Sequence, residues 1–113
     1  MYGVSYSTNK FSSNCACSID KKYASPYVKT NWIKIFIDGT VESGTGFIDP
    51  LYLDGHQGIA NWSEEEVTDI TRKANEKGLT MHIHAMGNAA VNRAVNAYVN
   101  AGKDELRNTI VHL

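Results

Sequence analysis

The alternation of short apolar runs with helical segments after residue 30 is the feature that most constrains the fold of this chain. The apolar runs span residues 32–37, 79–85 and 108–113, and the first, WIKIFI, is typical of a strand buried on both faces. The expected element order is strand, long loop, helix, strand, helix, strand. Such an order favours right-handed crossovers and a parallel sheet. We therefore expect an α/β fold.

Two segments carry helix signals at both ends. Ser63 is the predicted N-cap of the first helix, Glu66 completes a capping box, and Gly78 is the expected C-terminal glycine. Asn88 is the predicted cap of the second helix, which should end at Gly102. The apolar faces predicted to cover the sheet are Val67, Ile70, Thr71 and Ala74 in the first helix, and Val91, Ala94, Val95 and Tyr98 in the second.

The N-terminal part of the chain differs in composition from the rest. Residues 1–30 are rich in Ser, Asn, Tyr and Lys and show little periodicity, so we expect an irregular or edge-like segment there and the α/β region in 31–113. Cys15 and Cys17 form a C-x-C pair that could bind a soft metal or oxidise. With no second pair beside them, we expect reduced thiols and a reducing compartment.

Charge and hydropathy exclude several classes of partner. The net charge is −1, and the longest basic cluster is Lys21-Lys22, which argues against a nucleic-acid partner. No apolar run approaches the roughly 20 residues that cross a bilayer, and the first residues lack the basic and apolar regions of a signal peptide. We expect a cytoplasmic protein with no membrane partner.

The long loop 41–60 lies between the first strand and the first helix and contains four glycines and one proline. Loops of this length in compact domains tend to be functional. We expect His56 in this loop to face solvent. Tyr52 and the nearby Trp62 are expected to anchor the loop rather than contact a substrate.

Histidines stand at the ends of two predicted strands. His84 closes the run 79–85, and His112 closes the run 108–113, one strand–helix unit later. Since the carboxyl ends of parallel strands face the active site in β/α barrels, the two histidines are predicted to share a metal site. The alternative for His84 is a core histidine bonded to backbone groups. His82 lies deeper in the strand, where core packing or support of a ligand is expected rather than direct ligation.

Four motifs, in this order, resemble the central part of a group 3 amidohydrolase, in the branch similar to N-substituted formamide deformylases. The motifs are 33–40 (IKIFIDGT), 74–79 (ANEKGL), 82–91 (HIHAMGNAAV) and 107–113 (RNTIVHL). The resemblance covers residues 31–113. It implies a partial (β/α)8 TIM barrel in which the three predicted strands are barrel strands four, five and six.

The resemblance also implies a divalent metal site, with zinc as the expected ion and one or two ions bound. His84 matches the ligand on strand five and His112 the ligand on strand six. Lys34 matches the lysine of strand four, which many members carboxylate to bridge two metals; the alternative is a lysine that reaches solvent from the strand. Asp38 and Arg107, like His82, are expected beside the ligands or in a substrate loop.

The activity that the resemblance implies is hydrolysis of non-peptide C–N bonds in amides, formamides or cyclic amides, with metal-activated water as the nucleophile and a small amide as partner. Two departures are visible. The family usually has aspartate where this chain has Asn88, and the chain lacks the H-x-H pair of barrel strand one and the aspartate of strand eight. The second hypothesis is therefore a fragment of something larger or a degenerate domain, inactive by itself, which forms a homo-oligomer through its uncovered sheet.

Overall fold

The computed structural model describes the backbone of residues 4–5 together with residues 25–27 and 31–113. Cys15, Cys17 and most of the segment 1–30 lie outside the described residues, and so do the predictions about them. In chain order the elements are β1 (Val4–Ser5), β2 (Trp32–Phe36), α1 (Glu64–Glu76), β3 (Thr80–His84), α2 (Asn88–Ala101) and β4 (Thr109–Val111). Neither of these two helices has the length and apolar character needed to cross a membrane.

The described strands form one parallel sheet in the order β1-β2-β3-β4. β2 pairs with β3 so that Phe36 lies beside His84, and β3 pairs with β4 so that His84 lies beside Val111. The α/β prediction is confirmed, and β1 adds a two-residue edge strand from the N-terminal 30 residues. Because all the strands run the same way, their carboxyl ends share one edge of the sheet.

The two faces of the sheet have different environments. Ile33, Ile35 and Ile37 face the helices and are fully buried, whereas Trp32, Lys34 and Phe36, which alternate with them, are only partly buried. The prediction that 32–37 is buried on both faces is therefore wrong within the described part of the chain. Strand side chains alternate between faces, and α1 and α2 cover one of them.

Helix α1 forms as its local signals predict. The Ser63 hydroxyl accepts a hydrogen bond from the Glu66 amide at 3.2 Å, and the Ser63 amide donates to the Glu66 carboxylate at 2.8 Å. Gly78 follows the C-cap with a φ of 76°, a left-handed conformation that glycine adopts without strain. All four predicted core positions are buried, together with Asn75.

Helix α2 differs from its prediction in two respects. Its N-cap is Gly87 rather than Asn88, which is the first helical residue and whose Oδ1 accepts a hydrogen bond from the Ala89 amide at 3.0 Å. Val95 is 43% exposed, so its predicted place in the core is wrong. The buried side chains of α2 are those of Ala90, Ala94 and Ala97, with Val91 and Tyr98 packed beside them.

Residues 39–62, which we call the strap, connect β2 to α1. Two arms of the strap, the first arm (residues 44–48) and the second arm (residues 56–59), are joined by backbone hydrogen bonds from Ile48 to Gln57 at 3.1 Å and from Ile59 to Thr45 at 3.2 Å. Phe47 and Trp62 pack against the hydrophobic core, and the Tyr52 hydroxyl donates to the Gly46 carbonyl at 2.9 Å. The strap is thus a folded structure, anchored as predicted at Tyr52 and Trp62.

Candidate metal centre

Three of the residues singled out in the sequence meet toward the carboxyl edge of the sheet. Lys34 lies in β2, His84 is the last residue of β3, and His112 directly follows β4. The Lys34 Nζ is 3.3 Å from the His112 Nε2, and the rings of His84 and His112 have centroids 4.9 Å apart. The parallel register therefore brings a lysine and two imidazoles from three strands into one cluster.

His84 is held in a defined orientation. Its Nε2 is 2.7 Å from the Gly39 carbonyl oxygen and 3.6 Å from the Asp38 Oδ1, and the side chain is 9% exposed. Because a carbonyl can only accept, the Nε2 carries the proton and the lone pair of the neutral ring lies on Nδ1. Histidines that bind metals commonly have this arrangement, with the second ring N–H donated to a carbonyl or carboxylate.

His112 and Lys34 contact each other directly. The Lys34 ammonium can only donate, so at 3.3 Å it uses the lone pair of the His112 Nε2. His112 has a φ of 70°, an uncommon conformation for a residue other than glycine, in which the chain turns sharply at the end of β4. Such backbone outliers concentrate at functional sites.

Asp38 lies next to His84 and bonds to three backbone amides. Its carboxylate is buried, and it accepts hydrogen bonds from the amides of Phe47 at 2.9 Å, Met86 at 3.0 Å and Gly87 at 2.7 Å. One side chain therefore joins the strap to the loop that leads from His84 into α2. Its negative charge also lies against the amino end of α2, where the helix dipole stabilises an anion.

Asn88 forms a pair of hydrogen bonds that an aspartate could not form. Its Oδ1 accepts from the Asp49 amide at 2.9 Å, and its Nδ2 donates to the Asp49 carbonyl. A carboxylate has no proton to donate in the second bond. The strap lies so close to α2 here that a Cβ on Gly87 would be 2.0 Å from the Phe47 carbonyl oxygen.

Of the two remaining candidates, His82 lies beside Lys34 in the sheet and Arg107 lies away from the cluster. The His82 ring stacks on Trp32 with centroids 4.6 Å apart, and its pKa is lowered, mainly by burial and then by the nearby Lys34 charge. Arg107 is exposed and precedes β4, so it lies at the amino edge of the sheet. There it lines an open cleft of about 550 Å³ with Trp32 and His82. The structure does not bring Arg107 to the predicted ligands.

The cluster does not by itself provide a complete set of metal ligands. Within residues 25–27 and 31–113, no three or more His, Cys, Asp or Glu side chains are placed to hold a metal together. The set consists of two imidazoles and one lysine. A metal bound here would need a further ligand or a chemically altered lysine.

Sequence comparison decides the family. The model of the amidohydrolase family matches residues 10–113. The chain belongs to the amidohydrolase family. This confirms the resemblance seen in the four motifs, and the match begins well before the first of them.

Curated relatives agree with this assignment. N-substituted formamide deformylase of Arthrobacter pascens is 32% identical over 84 residues, covering 72% of this chain and 15% of the relative. YtcJ of Bacillus subtilis, itself assigned as an amidohydrolase, is 33% identical over 79 residues, covering 68% of this chain and 15% of the relative. The exoenzymes regulatory protein AepA of Pectobacterium carotovorum is 28% identical over 94 residues, covering 81% of this chain and 20% of the relative. The chain thus spans at most 20% of the length of these relatives.

A solved structure shares the fold. The crystal structure of an uncharacterized metal-dependent hydrolase from Pyrococcus horikoshii matches with a TM-score of 0.70 and 23% identity. The match covers 87% of this chain and 21% of the solved chain. The predicted partial α/β barrel is confirmed at the level of fold.

Proposed function

We propose that this protein is a metal-dependent hydrolase that cleaves non-peptide C–N bonds in small amides, formamides or cyclic amides. The observation that carries the proposal is the cluster of Lys34, His84 and His112, which family membership predicts and the parallel sheet assembles. The substrate class is supported by the formamide deformylase among the relatives.

The donors suit a divalent metal, and zinc is the ion that we propose. Imidazole nitrogens are good zinc ligands, and catalytic zinc sites have protein ligands and one open position. His84 would bind through Nδ1, because Gly39 holds its Nε2 proton. Such a metal, when bound, polarises a carbonyl and activates water. Asp38 and Gly39 keep the His84 ring in one orientation.

Lys34 determines whether His112 is free to bind. As an ammonium, Lys34 occupies the Nε2 lone pair of His112 and repels a cation. Reaction of the neutral amine with carbon dioxide to give a carbamate and a proton would replace the ammonium with an anionic ligand. We propose that Lys34 acts in this carboxylated form, which would allow either one or two metal ions.

Metal content tests the proposal. Purified full-length protein should contain stoichiometric zinc after dialysis, and the double variant His84→Ala with His112→Ala should lose it, as measured by mass spectrometry. His82→Gln is the matched control, since it changes a histidine on the same face of β3 and should retain the metal. Full-length protein that binds no divalent metal, or amide hydrolysis that survives both chelation and His84→Ala, would contradict the proposal.

The chain of 113 residues, taken alone, supports a second proposal. Its donor set is incomplete within the described residues, and the sheet face with Trp32, Lys34 and Phe36 is only partly buried. We propose that the isolated chain is inactive and associates with a second copy through this face. Light scattering should give a multiple of the monomer mass. A monodisperse monomer with metal-dependent turnover would overturn this view.

A further inference from the structure

We propose that His56 is a proton-sensitive latch that fastens the two arms of the strap. The proposal concerns the strap alone and does not rest on the proposed activity or on a bound metal.

The latch is formed by both nitrogens of one imidazole ring. His56 Nδ1 contacts the Asp54 carboxylate, and His56 Nε2 is 2.8 Å from the Gly44 carbonyl oxygen on the other arm. The Tyr52 ring stacks on His56 with centroids 4.5 Å apart and an interplanar angle of 15°. His56 was expected to face solvent, and its side chain is indeed 46% exposed, but both of its nitrogens are engaged.

These contacts are complete only when the ring is charged. A carbonyl and a carboxylate both accept, and a neutral imidazole has one N–H to donate, whereas an imidazolium has two. A stacked tyrosine also favours a cation over a neutral ring. Asp54 is the charged group that faces His56 within the described part of the chain. Deprotonation of the His56 ring therefore removes one of the two hydrogen bonds. The lone pair of that ring nitrogen then faces a lone pair of the acceptor oxygen.

The pKa shifts of the pair give the pH window. The Gly44 carbonyl and then Asp54 raise the pKa of His56 above its ordinary 6.5. The stability that the charged His56 gives the strap is therefore fully present below pH 6.5 and is lost as the pH rises through the raised pKa. The His56 side chain lowers the pKa of Asp54 below 3.8, so the stability that the ionised Asp54 gives the strap is fully present above pH 3.8 and is lost as the pH falls through the lowered pKa. The latch is therefore fully fastened between pH 3.8 and 6.5, and it opens as the pH rises through the raised pKa of His56.

The latch is linked to the candidate site through backbone hydrogen bonds. Gly44 precedes Thr45, whose carbonyl accepts from the Ile59 amide of the second arm at 3.2 Å and from the Gly39 amide at 3.1 Å. The Gly39 carbonyl in turn accepts from His84 at 2.7 Å. Opening of the latch should therefore loosen the peptide that orients His84.

Two measurements on the metal-free chain test the latch. NMR titration should give a His56 pKa above that of the same residue in urea. Amide exchange, expressed as protection relative to intrinsic rates, should show that Thr45, Gly46 and Ile59 lose protection as pH rises through this value. The protection factor should fall by at most ten raised to the difference between the His56 pKa in the folded chain and in urea. The reason is that the same protonation equilibrium governs the pKa shift and the opening of the strap. Amides of α1 are the internal control and should not change.

Two variants complete the test. His56→Gln cannot titrate and should make strap protection independent of pH over the same range. Asp54→Asn removes one of the two favourable partners and should reduce the rise in the His56 pKa. An unshifted pKa for His56 would overturn the proposal. Strap protection that is flat with pH in the natural chain, or that still falls in His56→Gln, would overturn it as well.

Discussion

Replacing Asp38 with asparagine should lower the free energy of unfolding by about 3 kcal/mol, because it leaves buried amides without acceptors. The Asp38 Oδ2 accepts from both Phe47 and Gly87, and the Oδ1 accepts from Met86. An asparagine side chain has one oxygen in place of two, so its NH2 group would face at least one of these backbone N–H donors, which would then have no acceptor. Each buried donor left unpaired costs about 1–3 kcal/mol.

Urea unfolding of the two proteins would measure this loss as a lower midpoint with an unchanged slope. Asp69→Asn is the matched control, since the Asp69 side chain is about half exposed on α1 and forms surface ion pairs with Lys73 and Arg72. That change should cost less than about 1 kcal/mol. Equal midpoints for the two variants would show that the Asp38 contacts do not hold the strap against the β3–α2 loop.

Asn75→Asp should destabilise the fold by about 2–4 kcal/mol, through loss of a buried pair of amides. The Asn75 side chain donates to the Leu79 carbonyl at 2.9 Å and to the Asn108 Oδ1 at 3.0 Å. Its own Oδ1 accepts from the Asn108 Nδ2 at 2.7 Å and from the Lys103 amide at 2.9 Å. An aspartate would lose both donated bonds and place a negative charge at a position that is 1% exposed.

A double-mutant cycle separates this pair from its surroundings. Asn75→Ala and Asn108→Ala should each be destabilising, and their effects should not add, because each removes the whole reciprocal contact without introducing a charge. Asn92→Asp, at an exposed position of α2, is the control for Asn75→Asp and should change stability by no more than about 0.5 kcal/mol. Additive effects of the first two changes would mean that the amides act independently.

The elements that local signals determine were predictable from the sequence. The capping box at Ser63, the glycine at position 78 and the period of the α1 apolar face all lie within one helix, and each is present in the structure. The approach of His84 to His112 followed from topology, since both end parallel strands. Motif order then supplied Lys34, which has no distinctive local signal of its own.

What the sequence could not supply depends on contacts between distant residues. Asn75 and Asn108 are 33 positions apart, and nothing in the neighbourhood of either indicates the other. Asn88 was interpreted as a cap because asparagine suits that position, yet its side chain bonds to Asp49 across the strap. The Gly39 carbonyl that orients His84 is a backbone group, which no residue pattern reports. Val95 was misplaced because small alanines, rather than larger side chains, form the buried stripe of α2.

The attachment of the strap has a consequence for how such proteins diversify. Among its described residues, Phe47 and Trp62 pack against the core, while Leu51, Leu53 and Ile59 between them are more than half exposed. We therefore expect replacement of these three exposed side chains to leave the sheet and its helices intact. Surface loops on a rigid scaffold tolerate such changes best. We expect this stretch between the two anchors to be where sequence changes in the strap are tolerated best.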